Sequence, residues 1–441
     1  MRFKFSSLLL LLPLLLCTPI INAKTAPNEL AKQAASADAS KAAKAIAELR
    51  ALGPTGLKVL FTEYANLINS QVANPLQAET AEWRRVSKAL DEVSQQKNNY
   101  LSGLYWYTDM GQAKSAARAA GKPIISLRLL GNLNEEFSCA NSRFFRTVLY
   151  SNEEVSRMLR NRFILHWQSV RPAPRVTIDF GDGRKLERTL TGNSIHYILD
   201  ANGRPLDALP GLYGPKAFMR ALTLVDALSK QLATKADVQG RFAVPRFHRD
   251  RLNNINVAWA VDTQTIGGKL PKGFVLVTNE KGTPAALEIA SLAITKMVTE
   301  ATILRSMTAG SRELERITDE DAWRKLAFLH LADAQLDARS MGLIQRQAQK
   351  VFEKDKQINP ETALAKMIEK LEMNIALDTV RNEYLLHTKL YAWLLSAPGN
   401  DVEELNRKVY AELFLTPASD PWLGLFSADT YVALQNGGLE E

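Results

Sequence analysis

Leu133-Asn134-Glu135-Glu136-Phe137-Ser138-Cys139-Ala140-Asn141-Ser142-Arg143-Phe144-Phe145 decides how the rest of the chain is read. It follows the short apolar run Pro123-Ile124-Ile125-Ser126-Leu127 and opens an amphipathic helix through Tyr150. A strand, a loop and then a cysteine at a helix start is an arrangement in which a thiol can become reactive. The unpaired amides of a first turn favour a nearby negative charge. No G-x-S-x-G, H-E-x-x-H, P-loop or haem-attachment C-x-x-C-H accompanies it, so no cofactor is implied.

Outward from this stretch, β and α patterns alternate from residue 104 to about residue 232. Thr108-Asp109 caps an alanine-rich helix over 110–120, Gly121 stops it, and Pro123 leads into a strand over 124–127. Ser151-Asn152-Glu153-Glu154 is a second helix start with acids in its first turn, and a strand over 163–167 follows that helix. Residues 176–180 and 185–190 form a hairpin about Gly181-Asp182-Gly183. A strand at 196–199, a turn at Asn202-Gly203 and a closing helix over 215–230 complete the unit. The alternation predicts an α/β domain over 99–235, with a central mixed sheet and helices on both faces.

The flanks read differently. Residues 24–98 form a helical region with helices expected at 26–51, 56–69 and 80–95. Residues 236–284 carry several Gly and Pro and read as a linker or wrapping segment, with a strand-like run at 274–277. Residues 285–441 read as a mostly α-helical domain, with helices at 285–307, 319–338, 343–354, 360–377 and on to 395, and 402–414. Leu326, Leu329, Ala332 and Leu336 recur there at three and four, as a bundle requires. The tail from Thr416 to Leu425 is expected to tuck Trp422, Leu423 and Leu425 onto that bundle.

Residues 1–23 carry a basic start (Arg2, Lys4), an apolar core from Leu8 to Leu16 and a cleavage site at Ile21-Asn22-Ala23. The core is far short of the roughly 20 residues a membrane span needs, so it reads as a signal peptide, and the chain as periplasmic or secreted. No later segment approaches spanning length. The net charge is +8, but positive residues are interspersed with acids, which argues against a nucleic-acid surface. Two cysteines occur, and loss of Cys17 with the signal leaves Cys139 as the one thiol, unable to form an internal disulfide.

The segment from Trp106 to about Leu228 resembles the thioredoxin superfamily. Cys139 and Ser142 fall at the two motif positions, giving C-x-x-S, as in anterior-gradient-type relatives. Ser151-Asn152-Glu153-Glu154-Val155 and Arg160-Asn161-Arg162-Phe163-Ile164 keep step with the family without a gap. Gly121-Lys122-Pro123-Ile124-Ile125 and Leu199-Asp200-Ala201-Asn202-Gly203 match at either end. The resemblance implies a thioredoxin-like fold, Cys139 and Ser142 as site residues, and Ser194, Ile195, His196 and Arg143 as binding residues. Two departures matter. Ser142 cannot resolve a mixed disulfide, and the family's cis-proline position falls at Ser194 or Ile195, neither of which is proline.

A helix N-terminus gives a thiolate about 0.3–1 kcal/mol, and Arg143 and Arg128 add to it, so a modest lowering of the Cys139 pKa is expected. The Ser142 hydroxyl is expected to help hold the thiolate. Two readings stay open: a monothiol that exchanges disulfides with a partner, and a thioredoxin-fold adaptor that only binds. A protein partner or a thiol or disulfide substrate is implied in either case. Metal binding by Cys139 with His166 or His196 is a third, weaker alternative, because scattered ligands do not specify a site.

Overall fold

The computed structural model describes residues 26–190, 192–234, 238–270, 311–354, 359–396, 401–423, 431 and 433–439. The expected signal segment, the strand-like run at 274–277 and the helix at 285–307 lie outside these residues. The N-terminal region is a layer of short helices: α1 (Pro27–Ala34), α2 (Ala39–Ala51), α3 (Pro54–Glu63), α4 (Ala65–Ala73), α5 (Ala81–Ser94) and α6 (Asn99–Ser102). Sequence reading joined α1 to α2, but Asp38 breaks the run. Its carboxylate accepts from Ser40 N and Lys41 N and caps α2. Gly53 (φ 66°) and Pro54 then turn the chain into α3. Leu49, Leu60, Val86, Leu90 and Val93 make a core that also takes Leu343 from the far end of the sequence.

The α/β unit runs β1 (Trp106–Tyr107), α7 (Met110–Ala120), β2 (Ile124–Leu130), α8 (Ala140–Phe144), α9 (Glu153–Arg162), β3 (Ile164–Arg171), β4 (Arg175–Asp179), β5 (Lys185–Thr189), β6 (Ser194–Leu199), β7 (Pro205–Pro210) and α10 (Pro215–Thr234). The main sheet has five strands in the order β1-β3-β2-β6-β7. β1 and β2 flank β3 in parallel, whereas β6 runs antiparallel to β2, and β7 to β6. β2 is central, and every one of its residues is buried. This accounts for an unbroken apolar run with few polar members, as a strand covered on both faces requires. β4 and β5 stand apart as a two-stranded hairpin. The mixed sheet matches expectation, while β1 and β7 were not anticipated as strands.

After α10 come α11 (Val238–Thr265), α12 (Glu320–Leu329), α13 (Ala338–Lys354), α14 (Pro360–Arg381), α15 (Thr388–Ser396) and α16 (Val402–Lys408). Two corrections follow. The expected linker at 236–284 is, over most of its described length, the long helix α11, with Pro245 inside it. Leu252, Ile255 and Trp259 on α11 are fully packed, so tertiary burial overrides a proline that costs a helix about 3 kcal/mol. Nor is the C-terminal part a separate unit, because one continuous apolar core runs from the sheet through Trp259, Leu326, Ala376, Leu390 and Val409. The tail departs from expectation in part: Leu423 is buried, but Trp422 stays 47 % exposed, and Leu425 lies outside the described residues.

Candidate functional site

β2 ends at Leu130, and Gly131 (φ 72°) turns the chain away. A Cβ at residue 131 would lie 3.2 Å from Ser138 Cα and 3.3 Å from Ala173 Cβ, so a glycine suits the tight fold of this loop. The loop returns until Cys139 N donates to Leu130 O at 3.1 Å, and Cys139 becomes the N-cap of α8. Arg146 holds the loop from inside, donating to the carbonyls of Glu135 (2.7 Å) and Glu136 (3.3 Å). Burial pushes the Arg146 guanidinium down to about 10. α8 passes directly into a π-helical turn, Phe145–Leu149.

Ser194 and His196 share one face of β6, and Ile195 and Tyr197 share the other. The cysteine helix lies on the first face. Asn141 Nδ2 donates to Ser194 Oγ at 2.9 Å, and His196 packs on Phe145 with ring centroids 4.6 Å apart. Cys139, Ser142 and Ser194 thereby lie at one end of the sheet. No peptide bond among the described residues is cis. His196 is engaged elsewhere: its Nε2 lies 2.7 Å from Tyr150 Oη, and burial drives its pKa down to about 3, so the ring is neutral. Ile195 is wholly buried and pairs with Arg128 across the ladder, which makes it a core residue.

The chemistry expected of Cys139 is not what its surroundings supply. The thiol has no accessible surface, and burial pushes its pKa above the ordinary value. The backbone of Ser142, Leu130 and Asn141 and the charge of Arg143 pull the other way without prevailing. The expected lowering is therefore reversed, because loss of hydration outweighs one short turn of amides. The Ser142 hydroxyl donates to Ser138 Oγ, so the part of Ser142 that stabilises the thiolate is its backbone. Arg128 does not serve the thiol. It is 1 % exposed, and its two terminal nitrogens are taken by Gln168 and Glu403.

Residues 403–420, late in the chain, pack on this end of the sheet. Besides the Arg128–Glu403 pair, Tyr197 Oη donates to Asn406 Oδ1 at 3.2 Å. Beyond α16, Tyr410 Oη donates to Asn193 O at 3.2 Å, and Asn193 Nδ2 donates to Thr416 Oγ1 at 3.0 Å. Arg171 at the end of β3 donates to Asp420 O (2.8 Å) and Thr416 O (3.2 Å). Burial raises the Tyr410 phenol pKa, with the nearby Cys139 next in importance. Tyr410, Arg146 and Glu403 were missed at the level of sequence. Arg128 and Glu403 are 275 residues apart, and no local spacing signals that meeting.

No family model, no curated protein and no solved structure matches the chain.

Two polar clusters lie away from the cysteine. His330 sits between Asp262 (2.6 Å) and Asp333 (3.6 Å), Tyr384 bonds the same Asp262 oxygen, and Arg220 clasps Asp333. Deeper, Tyr391 Oη donates to Asp207 Oδ2 at 3.1 Å, and His387 stacks on the Tyr391 ring at 4.3 Å. Both clusters fasten α11 and the Asn382–His387 π-turn, and the Asp207 cluster fastens them to the sheet. His166, once a possible metal ligand, bonds Ser126 Oγ at 2.9 Å and is held neutral, its pKa lowered to about 3 by burial. Among the described residues no group of three or more His, Cys, Asp or Glu is placed to hold a metal ion. None of the described helices is long and apolar enough to cross a membrane.

Proposed function

We propose that the chain is an exported thioredoxin-like binding module, an adaptor for a protein partner, in which Cys139 is a packed and protonated core thiol. Support for the thioredoxin-like assignment comes from the order of the sheet, in which parallel β1, β3 and β2 are followed by antiparallel β6 and β7. The cysteine helix also begins directly beyond the central strand. The observation that carries the binding reading is the complete burial of Cys139, with Tyr410 of the C-terminal segment beside it. Exchange needs an accessible thiolate, and burial removes both the access and the charge. Export rests on the leading segment from Arg2 to Ala23, and a mature protein beginning at Lys24, read by mass, checks it.

Alkylation of the native protein by iodoacetamide tests the thiol. The expected result is labelling slower than that of free cysteine at neutral pH, becoming fast only in denaturant. A Cys139→Ser variant is expected to retain whatever partner the wild type recovers from the cell envelope. Labelling at the free-cysteine rate, or a mixed disulfide trapped in the envelope and lost in Cys139→Ser, overturns the adaptor reading. One observation favours exchange as the second reading: three backbone groups and Arg143 all stabilise the thiolate form. That reading requires the segment from Glu403 to Asp420 to move away first.

A further inference from the structure

We infer that the outer edge of β4 pairs with the same edge of a second copy of this chain, joining two hairpins into a four-stranded antiparallel sheet. Among the described strands the hairpin pairs with itself alone; Thr189 Oγ1 to Ser138 O (3.2 Å) and Arg175 over the Phe137 ring tie it to the cysteine loop, and a two-stranded ribbon is marginal in water. Its ladder fixes which groups point outward. Leu190 N donates to Pro174 O and Phe180 N to Arg184 O, so residues 174, 176, 178 and 180 face β5. The amides and carbonyls of Arg175, Thr177 and Asp179 therefore face away from it. Pro174 belongs to the inward set, and its missing N–H leaves the outer edge intact.

That edge is self-complementary. A two-fold axis at Thr177 sets Thr177 opposite its own copy and pairs every outward group of Arg175, Thr177 and Asp179. It also sets Arg175 against Asp179 of the second copy, and Asp179 against its Arg175. Within each hairpin Asp179 already holds Lys185 at 3.1 Å and Arg175 holds Glu187 at 3.2 Å, so charges alternate across the joined strands. On the opposite face Val176 meets Ile178 of the copy, which covers a side chain left 46 % exposed, and Phe180, 54 % exposed, comes against Pro174. The same operation on β5 would set Glu187 against Glu187, while an axis at Val176 sets Arg175 against Thr177 and Asp179 against Ala173, and one at Ile178 sets Asp179 against Thr177 and Arg175 against Gly181, so neither pairs opposite charges. An edge carrying charges ordinarily repels other strands; here the order of signs makes this strand its own partner.

Sedimentation velocity of the full chain across a wide concentration range tests this. A dissociating dimer is expected. Thr177→Pro removes an outward N–H without touching the β4–β5 ladder and is expected to leave a monomer, while Glu187→Pro on the other edge keeps the dimer. Asp179→Arg sets Arg against Arg and is expected to weaken association about tenfold. The double variant Arg175→Asp with Asp179→Arg restores it, although that variant carries two charge mismatches inside its own hairpin. A wild-type chain that is monomeric throughout, or a dimer indifferent to both Thr177→Pro and Asp179→Arg, overturns the inference.

Discussion

Among single residues, His330 offers the clearest pH dependence. Hydrogen bonds to Asp262 and then Asp333 raise its pKa from 6.5 to about 9, against an opposing contribution from burial. For Asp333 burial acts to raise the pKa, yet bonds from Arg220 and His330 hold it below the usual carboxylate range. A histidine whose folded pKa is raised stabilises fully below its unfolded value, near 6.5, and loses that contribution as pH rises through about 9. A shift of this size corresponds to roughly 3 kcal/mol at most, trimmed because the side chain is 28 % exposed. Urea unfolding at about pH 6 and about pH 10 should show the wild type losing more stability than His330→Gln; equal losses would rule out this role for the cluster. None of this was legible in the sequence, where His330 is one histidine in a helical pattern without a partner at telling spacing. Cys139 shows the opposite limit. Its place at a helix start after a strand was readable from order alone, but whether the thiol is wet or dry depends on side chains hundreds of positions away.

Between elements, the informative contacts are close crossings and seals. At Gly56 an added Cβ would stand 1.9 Å from Leu49 O, so α2 and α3 meet backbone to backbone. Gly56→Ala must push the helices apart, and a loss of about 1–3 kcal/mol in unfolding free energy is expected; a change within a few tenths would show that the crossing adapts freely. The α16 seal is tested by Glu403→Ala, which strips the buried Arg128 of its carboxylate, and by Tyr410→Phe, which strips Asn193 O of its donor. The first should cost about 1–3 kcal/mol and the second about 0.5–1.5 kcal/mol. Both should speed alkylation of Cys139 by more than the drop in global stability alone predicts. Labelling that quickens only in step with the loss of global stability, with no extra local opening, would show instead that α16 never parts from the sheet. Strands with clean apolar runs and the hairpin with its Gly-Asp-Gly turn were legible, since local chemistry specifies them. β7 was not, because Pro205 and Pro210 at its ends and the buried Asp207 in its middle disguise a strand. α11 was hidden by Gly240 and Pro245, which only its packing outweighs.

At the scale of the molecule, apolar periodicity tells that a face is buried but not against what, and that is why the sequence does not show one apolar core running across the boundaries drawn from it. Residues 99–235 were read as one α/β domain. In the folded chain the core beneath the sheet continues through α11, α15 and α16. The polar fastenings point the same way: Asp207 on β7 is satisfied by Tyr391, Tyr197 on β6 by Asn406, and Arg128 on β2 by Glu403. The N-terminal layer is tied in as well, with Arg50 donating to Trp106 O and Trp106 Nε1 donating to Gln96 Oε1 at 2.8 Å. Cut out alone, residues 99–235 would take Tyr391 from Asp207 and Glu403 from Arg128 and bare a broad apolar face, and a buried group that loses such a partner costs about 1–3 kcal/mol. Against a typical total stability of about 5–15 kcal/mol, that loss should prevent folding. The expectation is that the 99–235 fragment gives no cooperative thermal transition and poor amide dispersion by NMR. The full chain should melt its sheet and C-terminal helices in one step, followed by circular dichroism and by tryptophan fluorescence together. A fragment that folds cooperatively by itself would mean that the C-terminal helices are an ornament on a self-sufficient domain, and that their cover over Cys139 is optional.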